Sequence, residues 1–119
     1  MTASRRALLW FGVLGAPAAW VFHLVAGYGI QEADCSRGSA RWDFSSHPLE
    51  IAVTAAALGI GVAALVAAAW SWRAAEAGAD PRGRVAFMAF AGIISSLLFL
   101  GIIAVGGAGA VYLDPCTPG

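Results

Sequence analysis

The chain has 119 residues, 60% of them apolar and 12% charged, about half the charged share of an ordinary soluble domain. Its seven basic residues are all arginine and are balanced by seven carboxylates, so the formal charge is zero and no basic surface points to nucleic acid. So short and apolar a chain is expected to form one membrane domain, residues 1–119, with little length left for a soluble domain or an aqueous catalytic cleft.

Three stretches carry no Asp, Glu, Lys or Arg: residues 7–30, 51–72 and 85–113. About twenty helical residues cross the hydrocarbon core, and in lipid only a helix or a closed barrel satisfies its own backbone hydrogen bonds. The runs are continuous and rich in alanine and leucine, so the expectation is an all-α protein with three transmembrane helices, an outer loop at 31–50 and an inner loop at 73–84. The third run is about 43 Å long at 1.5 Å per residue, so it tilts or projects beyond the core.

In the first run, Gly12, Ala16, Ala19, His23 and Gly27 share one helical face. Arg5 and Arg6 with Ala16-Pro17-Ala18 also have the look of a cleavable signal, but apolar sequence continues to Ile30 and a retained signal-anchor helix is the simpler expectation. His23 is the one ionisable side chain well inside a run, about 10 Å from its outer end. At that depth it is a functional candidate: a proton relay, a contact with a partner's cofactor or a haem ligand. The alternative is a neutral imidazole hydrogen-bonded to Thr54 or to a backbone carbonyl.

Cys35 follows the first run and Cys116 the third, so both are expected on the outer side, where an oxidising compartment permits a disulfide between them. Two thiols binding copper are the rival reading, with no second Cys or Met nearby to complete a ligand cluster. Between Gln31 and His47, Trp42 and Phe44 stand among charges, a composition suited to a membrane surface or a docked partner. His47-Pro48-Leu49-Glu50 reads as a helix start, with proline at the first helical position and a carboxylate in the first turn. A haem held by His23 and His47 is disfavoured because the two fall at different depths.

The second run offers Ala52, Ala56, Gly59, Ala63 and Ala67 as a small-residue stripe, and the third offers Gly92, Ser96, Gly106 and Gly107. Counted from the outer ends, Gly59 and Gly106 fall level with His23, which predicts room around the imidazole. Ser95 and Ser96 are expected to bond within their own helix. Phe87, Phe90, Leu97, Leu98, Phe99 and Leu100 are expected to face lipid or another subunit.

Arginine placement sets the orientation, since cations in short loops stay on the cytoplasmic side. Arg5, Arg6, Arg73, Arg82 and Arg84 flank one side and only Arg37 and Arg41 the other, so the amino terminus is expected inside and the carboxyl terminus outside. Trp10, Trp70 and Trp72 then fall at the inner interface, Tyr28 and Tyr112 at the outer. Phosphate loops, paired zinc ligands and nucleophile elbows are absent from the sequence, so an enzyme is not expected, nor any catalytic residue, metal or cofactor of its own.

The segment Leu14-Gly15-Ala16-Pro17-Ala18-Ala19-Trp20-Val21-Phe22-His23-Leu24, followed by Tyr28 and Cys35, resembles a pattern in small bacterial three-span proteins associated with haem-copper cytochrome oxidase gene clusters. The resemblance covers about a third of the chain and carries over no catalytic residue. It implies a multi-pass protein of the bacterial inner membrane, an accessory subunit or assembly factor of a respiratory complex, with larger membrane subunits and lipid as partners. Trp20, His23, Tyr28, Cys35 and Cys116 are the positions that would matter. The alternative is a homo-oligomeric channel or transporter with His23 lining the path.

Overall fold

The computed structural model describes residues 3–35, 46–76 and 83–112, without the side chains at 31, 33–35, 46–47 and 110–112. They form three helices: α1 (Ala3–Cys35), α2 (Ser46–Ala74) and α3 (Arg84–Tyr112). All three pack against one another as an up-down-up bundle. Each contains a stretch long and apolar enough to cross a membrane, at Ala3–Ile30, Pro48–Ala74 and Arg84–Gly109.

Helices α1 and α2 outrun the uncharged stretches. Helix α1 continues to Cys35 and α2 begins at Ser46, so much of the expected loop 31–50 is helical backbone. The charge-free run marks what lipid tolerates, whereas the helix ends where the backbone ceases to bond along itself. Pro17 lies inside α1 without ending it. Its missing N–H releases the Val13 carbonyl, a loss that close neighbouring helices make tolerable. At the other turn Gly83 takes φ 73°, a left-handed conformation that favours glycine, and its carbonyl accepts the amide of Phe87 at 3.0 Å to open α3.

The interior is thin. Its largest fully buried side chains are Ile103 and Ser96, and the rest is mostly alanine and glycine. For helices that cross hydrocarbon there would be no hydrophobic drive between them, and contact would depend on how closely backbones approach. The closest approach is at Gly12, where an added Cβ would stand 2.8 Å from the Ala68 amide nitrogen, and at Gly92, where it would stand 2.8 Å from the Gly12 carbonyl oxygen. Ser96 closes the same layer by donating its hydroxyl to the Gly12 carbonyl in a long 3.5 Å contact, instead of bonding within its own helix as expected. The next layers along the bundle are Gly15 with Ala64, where an added Cβ would stand 2.8 Å from the Ala64 methyl, then Ala19, Ala57 and Ile103, with Trp20 and Leu58 packed against them.

The α1 face is as expected: Gly12, Ala16, Ala19, His23 and Gly27 are all buried. The α2 face is not. Ala52, Ala56, Gly59 and Ala63 are exposed, and only Ala67 of that stripe is buried. The face turned inward runs through Glu50, Ala57, Gly61, Ala64, Ala68, Ser71 and Ala75. Alternating steps of three and four along it follow the knobs-into-holes repeat, and polar Glu50 and Ser71 turn to the protein rather than outward. Of the expected outward residues, Phe87, Phe90, Leu97 and Leu98 are exposed, while Phe99 and Leu100 are half-buried.

Gly92→Ala is expected to lower bundle stability by about 1–3 kcal/mol through overpacking against the Gly12 backbone. Gly101, where an added Cβ meets nothing within 4 Å, is the control. Gly101→Ala is expected to be neutral or to stabilise by up to about 1 kcal/mol. Reversible unfolding in detergent micelles measures both.

Candidate functional site

Buried polar side chains converge at the Ser46 end of α2. His23 reaches from α1 to Thr54 on α2, with Nε2 3.0 Å from the hydroxyl oxygen, either partner donating according to the imidazole tautomer. This is the neighbour that the sequence offered for a hydrogen-bonded imidazole. The two residues meet because His23 follows Ala19 by one turn on the buried face of α1 and Thr54 precedes Ala57 by one turn on that of α2.

On the third side α3 supplies only backbone. An added Cβ at Gly107 would stand 2.9 Å from the Thr54 hydroxyl oxygen, so no larger residue fits without moving Thr54. At Gly106 it would stand 3.5 Å from His23 Cε1 and 4.0 Å from Nδ1, so this glycine borders the imidazole as expected. Gly59 does not: it is exposed, with nothing within 4 Å of an added Cβ. The residue of α2 that meets His23 is Thr54, five positions before Gly59, and Gly59 itself is exposed.

One turn beyond Thr54 on the same face stands Glu50, 2% exposed. Its carboxylate packs on Gly27, where an added Cβ would lie 3.6 Å from Oε2 and 3.9 Å from Oε1. Oε1 is buried without a hydrogen-bond partner. Glu50 thus turns inward, where the sequence suggested a first-turn capping carboxylate. The signal that could have found it was its spacing of four from Thr54 and then three to Ala57, which continues through the inward face of α2.

Trp20 flanks the cluster from the core side, its ring centroid 5.5 Å from that of Phe99 at 48°. Tyr28, 67% exposed, lies outside the cluster with its hydroxyl beside the Glu32 carboxylate. The expected disulfide between Cys35 and Cys116, and the side chain of His47, fall outside the described residues. Among the described residues no three His, Cys, Asp or Glu side chains gather as a metal site.

At the opposite end of the bundle a cavity of about 480 Å³ opens between the helices, lined by Ser4, Arg5, Leu8, Trp70, Ser71, Ala74 and Val85. The Ser71 hydroxyl donates to the Ala67 carbonyl of its own helix at 3.0 Å. Trp72 and Phe90 pack near this end with their rings tilted at 45° and centroids 5.7 Å apart. Family models, curated proteins and solved structures give no match to this chain.

The chemistry available to the polar cluster is that of proton binding and hydrogen bonding: one imidazole, one hydroxyl and one carboxyl, walled by glycine backbone. A double-mutant cycle on His23→Leu and Thr54→Val, followed by unfolding in micelles, is expected to give a coupling of about 0.6–1.7 kcal/mol, as for interhelical hydrogen bonds in lipid. A coupling near zero would place His23 with another partner.

Proposed function

We propose that the chain is a multi-pass protein of the bacterial inner membrane, amino terminus inside and carboxyl terminus outside, acting as a non-catalytic accessory subunit or assembly factor of a larger membrane complex. The likeness of its first helix to small proteins associated with oxidase gene clusters makes a haem-copper cytochrome oxidase the partner of choice. In this role it needs no cofactor of its own. The proposed disulfide between Cys35 and Cys116 would tie the two outer segments together across the ends of the bundle.

The observation that carries the reading is where the polar residues point. His23 is buried and bonded to Thr54 of the same chain, and Glu50 is buried on Gly27. A homo-oligomeric channel lined by His23 would need that ring on the outer surface of each protomer. The crossing at Gly12, Ala68 and Gly92 also fills the axis of the single bundle with backbone. What remains for the outside is large and apolar: Leu14, Val25, Val62, Leu98 and Val105 are each at least half exposed. Only 28%, 28% and 22% of the three spanning windows are buried within the chain, so most of each span is free to meet lipid or a larger subunit.

Gentle-detergent purification of the tagged chain from its native membrane is expected to bring a haem-containing complex with it, seen in the visible spectrum and by mass spectrometry. A colourless ring of identical chains would contradict the subunit reading and favour the channel.

A further inference from the structure

We propose that Glu50 and His23, which lie to either side of Thr54 along the same seam, form one proton-binding site at the Ser46 end of the bundle, taking up and releasing a single proton. The proposal is independent of which complex the chain joins.

An ionised carboxylate taken out of water is stable only when paired and hydrogen-bonded. Glu50 is 2% exposed, and its Oε1 has no hydrogen-bond partner. Among the described residues the arginines are Arg5, Arg6, Arg73 and Arg84, which all lie at the far end of the bundle. On α1, Tyr28 and Glu32 are exposed, and His23 is the one titratable side chain buried with Glu50. On α3 the described side chains beyond Arg84 include no titratable group. Among the described residues, what remains to balance Glu50 is a proton, carried on its own Oε1 or on the imidazole.

The arrangement makes both placements accessible. Thr54 lies one turn from Glu50 on the same face of α2 and 3.0 Å from His23 Nε2. A hydroxyl donates and accepts at once, so it can hydrogen-bond either protonation state of the ring. Gly27 seats the carboxyl against backbone, and Gly106 leaves the Nδ1 edge of the ring free of a side chain. With one proton between them, a neutral carboxyl with a neutral imidazole and a carboxylate with an imidazolium have the same total charge. The apolar surroundings therefore favour one bound proton over none or two. Uptake forms one O–H or N–H bond and consumes one proton from water; no other bond changes. A transition metal is a poorer occupant, since among the described residues the cluster has two ligand side chains where three or four are usual.

The test is pH-difference infrared spectroscopy of the full chain in lipid nanodiscs, in light and heavy water. The wild type is expected to show the carbonyl stretch of a protonated carboxylic acid in an apolar setting, shifted by deuteration and lost in Glu50→Gln. In His23→Gln the pH midpoint of that band is expected to move by at least about one unit, a tenfold change in proton affinity. Thr54→Val, which keeps both titratable groups, is expected to move it in part. The carboxyl-carbon NMR shift of Glu50 in the wild type gives the same reading without any variant. The proposal is overturned if the band persists in Glu50→Gln, or if its midpoint is the same with and without His23. It is equally overturned if Glu50 stays ionised while the His23 ring stays neutral throughout, or if the band follows sodium concentration at fixed pH, which would assign the site to a metal cation.

Discussion

Backbone contact at the crossing of Gly12, Ala68 and Gly92 is the constraint on which the rest of the bundle depends. In water, three helices this apolar would be driven together by burial; in hydrocarbon they gain little from it and rely on dispersion and a few hydrogen bonds. Dispersion falls off steeply with distance, so glycine and alanine at the crossing do what leucine does in a soluble core. The 2.8 Å that separates a notional Cβ at Gly12 from the Ala68 amide shows how little tolerance is left there.

That crossing also fixes what lies toward the opposite end. With α1 and α2 in register at Gly12 and Ala68, steps of three and four carry the contact through Ala19 and Ala57 to His23 and Thr54, and then to Gly27 and Glu50. The polar cluster is the continuation of the same seam. Gly106 and Gly107 from α3 keep its third side free of bulk. The small residues therefore have two consequences: they let the helices touch, and they leave space at one end for groups that lipid would not accept. Large side chains that the seam cannot hold are turned outward.

How legible this was in the sequence depended on how distinctive each helix is. Helix α1 carries His23 and the spaced Gly12, Ala16, Ala19 and Gly27 among larger residues, so its inward face could be read directly. Helix α2 is nearly uniform in small residues, with alanine at 55, 56 and 57 and again at 67, 68 and 69, so more than one stripe satisfies the helical period. The stripe through Ala52, Ala56, Gly59 and Ala63 was a valid pattern on the wrong side. Only Glu50, Thr54 and Ser71 distinguish the faces, and Glu50 was assigned to capping because it follows Pro48 near the helix start. Position near an end and burial along a face are separate properties, and a long membrane helix has both at once. His23 with Thr54, by contrast, was within reach, since an imidazole at that depth needs a partner and Thr54 is a near-level hydroxyl.

The central claim is that polar and small residues turn inward and large apolar ones outward in a bilayer. Lipid-to-protein cross-relaxation measured by NMR on the methyl-labelled chain in nanodiscs tests it most directly. The account predicts strong acyl-chain transfer to the methyls of Leu14, Val25, Val62, Leu98 and Val105 and none to Ala57, Ala64 or Ile103. Acyl-chain transfer to Ala64 and Ile103, or water transfer to Val62 and Leu98, would contradict it.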